Sequence, residues 1–516
     1  MIHDKPKPPF IKRFFCGETI VFLSTWALLM SAGRNKLFRD PGTFSHITWG
    51  DYIFSSHTLI YSDIFSFTFA GKPWISQQWL GDCLMSFIHK IGSLDGLLII
   101  TATCFALLNA WLMNRLMKAG LHFLLAFSII SLYTLAGAHH YHVRPHLASI
   151  FFLAITFSWL CNFEAQRLKS SASLLFLTPL FILWTNIHGG VLGGLGTVGI
   201  AILGWSVIRI FFNQPPIKNY KEMLFLSILF LTYFLSIFMN PYGGSIPKAW
   251  LSIMSSDLIP VIIQEHASVI RTGTWQVLPL GILYIVALIG IYPRRPKVTW
   301  LIPIVWFALS WSRTRNTPLF AVTAVIALSE FFPHVRWARW LSSKGSMIFR
   351  IKTPERSARI ISPFHLSVPL ALVATAVFFI LAPVQVSLLG HGWVKLDNKH
   401  WPIDLLPELK KYEKDNPDGF PILNDMIFGG FLMHYAPRLR VFIDDRCELY
   451  QDDFLLDYVT ANPVKIETWV KKYNIEVALV EPKSAFENYF QNNAGWKVLK
   501  VGESAVLYEK LQKEHF

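Results

Sequence analysis

Apolar residues along this chain occur in long continuous runs that are separated by short polar or basic segments. Runs of roughly 16–25 residues match the length that an α-helix needs to cross a bilayer. We therefore predict a polytopic α-helical membrane protein with about eleven spans. The spans are predicted near 17–32, 94–114, 120–138, 147–163, 172–187, 190–212, 223–239, 274–292, 298–311, 316–332 and 364–390.

Two stretches do not follow this pattern. Residues 33–92, between the first two spans, carry apolar positions at helical spacing, including Trp74 and Trp79. Such helices lie in the membrane interface, where Trp is favoured. Residues 391–516 mix short strands with helical stretches, which predicts a soluble C-terminal α/β domain. The predicted domains are a transmembrane helical domain over 1–390, with 33–92 as its first outer loop, and an extracytoplasmic domain over 391–516. Its candidate strands are 420–423, 439–444, 475–480, 497–501 and 505–508.

The composition supports this division and gives it an orientation. The chain is 53% hydrophobic and only 16% charged, against about 25% charged residues in ordinary soluble proteins. Its net charge of +14 arises before Gly390, because the later residues are net acidic, so nucleic-acid binding is not implied. With the N-terminus in the cytoplasm, the inner turns hold roughly twice as many Lys and Arg as the outer segments, as the positive-inside rule requires. The C-terminal domain is then extracytoplasmic.

Histidine, carboxylate, amide and arginine side chains gather at the predicted outer ends of the spans and in the outer loops. Ionisable residues at membrane depth are costly and tend to mark function. A cavity that opens outward is therefore predicted. Its arginines suit a phosphate-bearing lipid, because guanidinium groups bind phosphate through paired hydrogen bonds. The candidates in these segments are Asp40, His46, Asp51, Asp63, Arg144, His146, Asn186, His188, Tyr242, Glu265, Arg313 and Arg315.

These candidates also have structural explanations. Asp40 could cap an interfacial helix, and Asn186 could cap a span. Arg313 and Arg315 could anchor at the lipid headgroups by snorkelling. The histidine-rich stretch 139–146 could bind a metal, but it has no carboxylate nearby in sequence, so a structural or headgroup role is favoured. The five scattered cysteines predict neither a disulfide framework nor a zinc site, and no metal ligand is assigned.

Several of these residues belong to short motifs that occur in a fixed order. The motifs lie at 39–46, 50–53, 62–68, 71–74, 78–80, 143–147, 184–190, 240–243, 263–266, 315–320, 424–432 and 441–450. In this order they resemble a group of bacterial membrane proteins that is similar to the GT-C superfamily, whose members are glycosyltransferases that use polyprenyl-phosphate sugars. The resemblance extends over most of the chain.

The resemblance implies a helical bundle whose large first outer loop carries two interfacial helices. In GT-C enzymes an acidic residue soon after the first span acts as the catalytic base or positions the acceptor. Asp40 is that residue here, with Asp51 and Asp63 in reserve. Many GT-C enzymes carry a second acid at this point, whereas this chain has Gly42 and Thr43.

The resemblance also implies roles for the substrate-binding candidates. Arg144, Arg313 and Arg315 would hold the phosphate and its developing charge. In the C-terminal domain, the stretch that begins at Asp444 would cap the cavity or bind acceptor, although a structural Asp–Arg pair at a strand end is the favoured explanation. The other substrate-binding candidates are His46, His146, Asn186, His188, Tyr242, Glu265 and Arg446.

The function that follows is transfer of a sugar from a polyprenyl-phosphate donor to an extracytoplasmic glycan, lipid or protein acceptor. The protein would lie in the bacterial cytoplasmic membrane, in contact with membrane lipid, and no cofactor is assigned, although a divalent metal stays open. One alternative is a non-catalytic GT-C-like scaffold or assembly partner, because fold does not fix function. A transporter is less favoured, because no repeated halves are visible and the polar residues gather at one face.

Overall fold

The computed structural model of the protein describes residues 16–168, 170–350, 371–373 and 392–511. Up to residue 350 these form a bundle of helices joined by turns and short 3-10 segments. In chain order the α-helices of this part are α1 (Gly17–Ser31), α2 (Gly33–Lys36), α3 (Gly42–Ser56), α4 (Trp79–Lys118), α5 (Phe123–Gly137), α6 (Leu147–Glu164), α7 (Leu177–Ile187), α8 (Val191–Phe212), α9 (Tyr220–Ser236), α10 (Ser245–Ser255), α11 (Ile259–Ile262), α12 (Val269–Thr272), α13 (Leu278–Ile289), α14 (Val298–Ser312), α15 (Thr317–Phe331) and α16 (Arg336–Ser343).

Among the described residues, five helical segments are long and apolar enough to cross a membrane. They are Trp79–Lys118, Phe123–His140, Leu147–Glu164, Val191–Phe212 and Thr314–His334. Helices α1 and α14 are also apolar but shorter. The chain is therefore a multi-pass membrane protein, as predicted, whereas the predicted count of eleven spans is not confirmed. The predicted span 364–390 lies outside the described residues except for 371–373.

Helix α4 joins the first outer loop to the membrane bundle. It is kinked at Ser93, whose φ of 57° and ψ of −157° lie outside the helical region. Before the kink, α4 packs on α3 so closely that a Cβ at Gly50 would come within 2.2 Å of the Asp82 carbonyl oxygen. After the kink it packs on α1, where the Asn109 amide donates to Thr25 at 3.0 Å. The kink therefore separates the loop helix from the spanning helix.

Two buried carboxylates fix the ends of α14 and α15 that lie away from the first outer loop. Glu164 accepts hydrogen bonds of 2.8 Å from the first two backbone N–H groups of α14, where negative charge is favourable. Glu330, near the end of α15, accepts from Arg115 at 3.0 Å and from Arg167 at 2.6 Å. These contacts hold in place the two helices whose opposite ends carry Arg313 and Arg315.

The C-terminal residues form a five-stranded mixed sheet in the order β2-β1-β3-β5-β4. Strand β1 pairs in parallel with β2 and β3, whereas β5 pairs antiparallel with β3 and β4. All five strands lie at the predicted places, and the helices lie between and beside them. The strands are β1 (Phe420–Asn424), β2 (Leu439–Val441), β3 (Val477–Val480), β4 (Trp496–Val501) and β5 (Val506–Lys510), and the helices are α17 (Leu406–Asp415), α18 (Gly429–Tyr435), α19 (Cys447–Val459), α20 (Pro463–Lys472) and α21 (Ala485–Gln491).

The first outer loop adds to the edge of this sheet. Strand β2 is an edge strand, and the loop runs beside it with a parallel bridge between Ser66 and Val441. The Phe67 N–H donates to the Val441 carbonyl at 3.1 Å, and the Val441 N–H donates to the Phe65 carbonyl at 3.3 Å. The loop therefore covers backbone groups that an edge strand would otherwise leave unpaired.

Close packing of α18 on α3 provides a second contact between the two parts. A Cβ at Gly430 would come within 2.3 Å of the Pro41 carbonyl oxygen, so only glycine allows this approach. Beside it, Phe44 packs edge-on against Trp401 and Phe431, with ring centroids 5.1 and 5.9 Å apart. Such aromatic pairs add about 0.5–1.5 kcal/mol beyond the area that they bury.

The third contact is an ion-pair network around Arg446, which is 1% exposed. Its guanidinium donates to Asp444 at 2.8 and 2.6 Å and to Asp63 of the first outer loop at 2.7 Å. The guanidinium also lies over the Trp74 ring, with its carbon 4.7 Å from the ring centroid. Asp444 accepts a further hydrogen bond from the Tyr450 hydroxyl at 2.9 Å. The network thus joins the C-terminal sheet to the loop.

We expect Arg446→Gln to destabilise the protein strongly, because Asp63 and Asp444 would keep buried charges without their counter-ion. Removing one partner of a buried ion pair typically costs about 3–5 kcal/mol. The matched control is Lys465→Gln, which breaks a surface ion pair with Asp457. The two side chains are 38% and 47% exposed, and such a surface pair contributes at most about 1 kcal/mol to stability. Thermal unfolding of the purified proteins in detergent, followed by tryptophan fluorescence, compares the two. Equal unfolding temperatures would contradict the assigned role of Arg446.

Candidate functional site

A cavity of about 1190 Å³ lies where the first outer loop, the ends of the membrane helices and the C-terminal sheet meet. Its wall on the sheet side comes from residues that follow the parallel strands, namely Met426 after β1, Asp445 after β2 and Glu481 after β3. The carboxyl ends of parallel strands are the usual ligand-binding edge of an α/β sheet. The sheet therefore presents that edge to the membrane part of the cavity.

The two ends of the cavity differ in chemistry. One end is lined by arginines, histidines and carboxylates of the outer loops. The other end runs between α8 and α14 and is apolar, with Leu192 and Ile200 on one side and Ile302, Trp306 and Leu309 on the other. The cavity therefore joins a charged chamber to an apolar groove between two membrane helices.

Arg144 is the centre of the charged chamber. Its Nη1 lies 3.1 Å from the Asp40 carboxylate and 3.6 Å from the Glu265 carboxylate. Asp40 is positioned by its place before α3, because its Oδ1 accepts the backbone N–H of Gly42 at 2.8 Å. Both oxygens of Asp40 are therefore engaged, one by the backbone and one by the guanidinium.

These ion pairs keep all three groups charged. Burial alone would raise the pKa of Asp40, but the nearby charge of Arg144 outweighs it and holds the pKa below its ordinary value. Burial likewise opposes ionisation of Glu265, yet Arg144 and then Arg315 bring its pKa well below the usual range. Burial would lower the pKa of Arg144, and the carboxylates of Asp40 and Glu265 raise it instead. Opposite charges at this separation favour the charged forms.

Arg313 and Arg315 project from the turn between α14 and α15. Nη1 of Arg315 donates to Nε2 of His266 at 2.6 Å. His266 can accept because its imidazole is neutral: burial, followed by the charge of Arg315, lowers its pKa to about 3. Among the described residues, Arg313 donates only to the Met254 carbonyl, at 3.3 Å. Both arginines line the cavity and have donors left for a ligand.

His188 is held in one tautomer. Its Nδ1 accepts the backbone N–H of Gly190 at 3.0 Å and lies 2.7 Å from the Ser149 hydroxyl. Ser149 accepts in turn from the indole N–H of Trp184 at 2.7 Å. Because Nδ1 is an acceptor, the ring proton lies on Nε2. His188 therefore offers a fixed N–H donor to the cavity that it lines.

Whereas His188 offers a donor to the cavity, His146 offers a hydrogen-bond acceptor. Its Nε2 donates to the His140 carbonyl at 2.9 Å, and burial, followed by Arg144, lowers its pKa to about 3, so the ring is neutral. Its Nδ1 is then a lone-pair acceptor, and it is buried without a hydrogen-bond partner among the described residues. Nδ1 of His142 and of His139 are also buried and unpartnered in this part of the chain. Unpaired buried polar atoms are rare in native proteins and need an explanation, which a polar ligand would supply.

His46 lines the same cavity from α3. Its Nδ1 lies 2.7 Å from Oδ1 of Asp82, whose other oxygen accepts from the Ser76 hydroxyl. Nε2 of His46 is buried and has no partner within the described ranges. Next to it, Glu448 of the C-terminal domain accepts from Trp74 and Gln77, each at 3.0 Å.

Asp445 is a cavity residue that the sequence did not single out as a candidate. Its Oδ1 accepts the Ser45 hydroxyl at 2.8 Å, and its Oδ2 makes no hydrogen bond to the described part of the protein. Burial raises the pKa of Asp445 to about 6, since the charge of Arg144 only partly offsets the desolvation. The motif at 441–450 pointed to this stretch, but nothing in it distinguished Asp445 from the neighbouring Asp444.

The structure brings nine of the fourteen predicted site residues to the cavity wall, namely Asp40, His46, Arg144, His146, His188, Glu265, Arg313, Arg315 and Arg446. Five others lie elsewhere. Asp63 and Asp444 are fully buried in the network around Arg446. Asp51 accepts from Ser86 at 2.6 Å and lines a separate cleft of about 650 Å³.

The last two of these residues make structural contacts. The Asn186 amide oxygen accepts the indole N–H of Trp79 at 2.9 Å, and its NH₂ donates to the Met239 carbonyl at 2.9 Å. Tyr242 is 7% exposed and packs edge-on against Tyr61, with ring centroids 5.3 Å apart. Neither lines the cavity. Their roles as substrate-binding residues therefore stay predictions without a contact that supports them.

The charged chamber does not fit a metal ion. Among the described residues, no group of three or more His, Cys, Asp or Glu side chains is arranged to hold one. The space between Asp40 and Glu265, where two carboxylates would otherwise converge, is taken by the guanidinium of Arg144. The cation of this site is thus an arginine of the chain itself.

Comparison with known proteins gives a likeness at the level of fold. The chain matches no protein-family model and no curated protein sequence. Among solved structures, it is similar to the Archaeoglobus fulgidus oligosaccharyltransferase tethered by a disulfide bond to an acceptor peptide with the NVT sequon. The match has a TM-score of 0.53 and 12% identity and covers 90% of this chain and 69% of that chain.

A second similar structure is the oligosaccharyltransferase AglB from Archaeoglobus fulgidus in complex with an inhibitory peptide and a dolichol-phosphate. Here the TM-score is 0.49 and the identity 12%, over 92% of this chain and 70% of that chain. The first of the two likenesses confirms, at the level of the fold, the resemblance that the sequence motifs suggested. The chain has a GT-C-like fold.

Proposed function

We propose that this protein is an integral-membrane glycosyltransferase that moves a sugar from a polyprenyl-phosphate donor to an extracytoplasmic acceptor. One observation carries the proposal: a single cavity joins a chamber of guanidinium and imidazole groups to an apolar groove between two membrane helices. A polyprenyl-phosphate sugar has the same division, with a polar sugar and phosphate at one end and a long apolar chain at the other. The GT-C-like fold agrees with this assignment.

The apolar groove fits the polyprenyl chain. Gly196 of α8 lines it, and a Cβ built at this residue meets no atom within 4 Å. Opposite it, Ile302, Val305 and Trp306 of α14 present apolar side chains. Burial of apolar chain in such a groove is favourable by about 25 cal/mol per Å². A lipid tail could therefore lie in the groove with its phosphate at the charged chamber.

The three arginines fit the phosphate. Two carboxylates, Asp40 and Glu265, already balance part of the positive charge, chiefly that of Arg144. Arg315 and Arg313 pair with a neutral imidazole and with a backbone carbonyl, so their charges are not neutralised by these contacts. A phosphate diester would complete the charge balance. Donors that are fixed before the reaction stabilise the charge that develops on a leaving phosphate.

The histidines fit the sugar. Nε2–H of His188 is a donor and Nδ1 of His146 is an acceptor, and the two rings lie 6.3 Å apart between centroids. A hydroxyl group can accept from the first and donate to the second. Because the pKa of His146 lies far below neutral pH, its acceptor lone pair persists across the physiological range.

The chemistry is a single displacement at the anomeric carbon. The acceptor oxygen attacks this carbon while the bond to the phosphate oxygen breaks, and the polyprenyl phosphate leaves with the bonding electrons. A carboxylate accepts the acceptor's proton. The sequence analysis predicts that this carboxylate is Asp40, with Asp51 and Asp63 as the alternatives. A C-terminal domain on the extracytoplasmic side, with the N-terminus in the cytoplasm of a bacterial cell, would present the cavity to acceptors outside.

The testing experiment is transfer by the purified full-length protein from radiolabelled undecaprenyl-phosphate sugars, with hexose and pentose donors, to water or to added glycan, lipid and peptide acceptors. We expect release or transfer of sugar from one donor of the panel. Binding of undecaprenyl phosphate itself is followed by quenching of tryptophan fluorescence, since Trp74, Trp250 and Trp306 line the cavity. Binding without turnover would favour the scaffold alternative, and absence of both would refute the proposal.

We expect Arg144→Gln to lower the rate of sugar transfer by roughly 10²–10³-fold, the usual cost of losing one fixed donor to developing charge. The same change leaves Asp40 and Glu265 without their counter-ion, so the phosphate would meet two unpaired carboxylates. The control is Arg271→Gln, because Arg271 lies on the same face, contacts backbone carbonyls of Pro260 and Val261 and does not line the cavity. Equal rates of sugar transfer for the two variants would show that Arg144 does not stabilise the leaving phosphate.

We expect Gly196→Leu to raise the KM for a long-chain donor by at least about tenfold, because the new side chain fills the groove. With a short-chain farnesyl-phosphate donor the effect would be smaller, since less of the chain needs the groove. Leu203→Phe is the matched control, because Leu203 lies on the same helix, is 67% exposed and does not line the cavity. If the loss of activity does not depend on the length of the donor's polyprenyl chain, this chain does not bind in the groove.

A further inference from the structure

The C-terminal domain supplies a carboxylate to the chamber that the first outer loop alone would lack. On the basis of the proposed function, we infer that Asp445 is the catalytic base of sugar transfer and that Asp40 is a positioning residue that holds Arg144. The reaction centre would then be divided between two parts of the chain that are 400 residues apart.

The space around Gly42 shows how the two acids are arranged. A Cβ built at Gly42 would lie 2.9 Å from Oδ1 of Asp40, 2.9 Å from Oδ2 of Asp445 and 2.9 Å from Nε of Arg144. All three groups therefore meet over one glycine. An acid at this position, as the resemblance leads one to expect, would have no room. Oδ2 of Asp445 is one of the atoms that such a side chain would meet at its Cβ.

The carboxylate of Asp40 is poorly disposed to take a proton. Its Oδ1 accepts the Gly42 N–H and its Oδ2 accepts from Arg144, so both oxygens already have donors. A proton on either oxygen would have to displace one of these hydrogen bonds. The low pKa that results from the ion pair makes Asp40 a weak base. Its contacts suit the placement of Arg144 against the phosphate.

Asp445 has the contacts of a proton acceptor. The Ser45 hydroxyl holds Oδ1 at 2.8 Å and so fixes the plane of the carboxylate. Oδ2 has no hydrogen-bond donor among the described residues, and the residue lines the cavity beside Arg144. One oxygen therefore anchors the group and the other is available to an acceptor hydroxyl.

The charges around Asp445 come from three elements. Burial raises its pKa most, Arg144 of the outer turn lowers it, Asp444 of its own strand end raises it, and His46 and Asp40 of the first outer loop act in opposite directions, with a net pKa of about 6. A base with a pKa just below the operating pH is largely ionised and still attracts a proton well. This pKa agrees with the assignment of Asp445 as the base, which rests on the geometry of its two carboxylate oxygens.

Every proton and bond in the step can be accounted for. The acceptor O–H bond breaks, its proton passes to Oδ2 of Asp445, and the acceptor oxygen forms a bond to the anomeric carbon. The bond from that carbon to the phosphate oxygen breaks, and the phosphate takes the electron pair. Asp445 later releases its proton to water. No oxidant, reductant or metal is required.

The test is the pH dependence of kcat/KM with an active undecaprenyl-phosphate donor. Because the base must be ionised, activity is present above its pKa and is lost as the pH falls through about 6. The donor phosphate is a diester without an ionisation near this pH. We call the fall in kcat/KM at low pH the acid limb. We expect Asp445→Asn to lower the rate roughly 10²–10⁴-fold and to abolish the acid limb. We expect Asp445→Glu to restore part of the rate together with an acid limb.

Asp40→Asn gives the contrasting outcome. An asparagine has one acceptor oxygen where the aspartate has two, so it can accept from Gly42 or from Arg144 but does not replace both carboxylate oxygens. We therefore expect a higher donor KM with a smaller change in kcat. The acid limb persists and moves to lower pH, because the charge of Asp40 raises the pKa of Asp445 in the wild type. Asp425 is a second group whose pKa burial raises to about 6, and it accepts from the Tyr458 hydroxyl at 3.0 Å. A limb that survives in Asp445→Asn would therefore overturn the inference and point to a group such as Asp425.

Ser45→Ala provides a variant that keeps the carboxylate. Its hydroxyl stabilises the charged form of Asp445, so its loss raises the pKa and moves the acid limb to higher pH, by roughly one unit. Thr48→Ala is the control, because Thr48 lies about one turn further along α3 and its hydroxyl donates to the Phe44 carbonyl. If the acid limb of the Ser45→Ala variant lies at the same pH as that of the wild type, Asp445 is not the base.

The outcomes separate this inference from the proposed function. If the wild-type protein transfers no sugar and does not bind undecaprenyl phosphate, the proposed function fails. If the wild type is active and Asp445→Asn binds undecaprenyl phosphate normally and retains the wild-type rate and pH profile, only the inference fails. Unfolding temperatures equal to that of the wild type show that each variant is folded.

Discussion

The burial of Arg446 is the constraint on which the rest of the structure depends. Its guanidinium is taken from water and contacts Asp63 of the first outer loop and Asp444 of the sheet. A buried charge is tolerated only when it is paired, so neither part of the chain can keep this geometry alone. Asp445 is the neighbouring residue, and its direction into the cavity follows from the fixed positions of Asp444 and Arg446. The cavity wall is thus set by an ion pair that need not touch a ligand.

The charges of the cavity are divided between the two parts of the chain. The membrane part brings Arg144, Arg313 and Arg315 together with Asp40 and Glu265, whereas the C-terminal part adds Asp445 and Glu481 at the ends of its parallel strands. Arg144 contacts Asp40 and Glu265, and its charge also acts on Asp445. An anionic donor and a proton acceptor would be mutually repulsive without this cation between them. In the proposed reaction, this arrangement would bring the anionic donor next to the base at a lower electrostatic cost.

Much of this could be predicted from the sequence, because it depends on local patterns. Runs of apolar residues marked the membrane helices, short apolar stretches between helical ones marked all five strands, and the gathering of polar residues at one end indicated the cavity. What could not be predicted depends on contacts between distant residues. Asp444 and Asp445 are adjacent and chemically identical, and only the docked loop shows that one is buried and the other lines the cavity. The contact of Asn186 with Trp79 is equally invisible to sequence patterns.

The division of Asp40 and Asp445 between two parts of the chain has a consequence for the formation of the cavity. Asp40 and Arg144 lie in the membrane part and can meet when the bundle forms, whereas Asp445 arrives only when the C-terminal sheet docks. Closure of such a long loop carries an entropic cost, which the ion pairs of Arg446 and the packing at Gly430 must offset. Until then the chamber could hold a phosphate but would lack the proposed base.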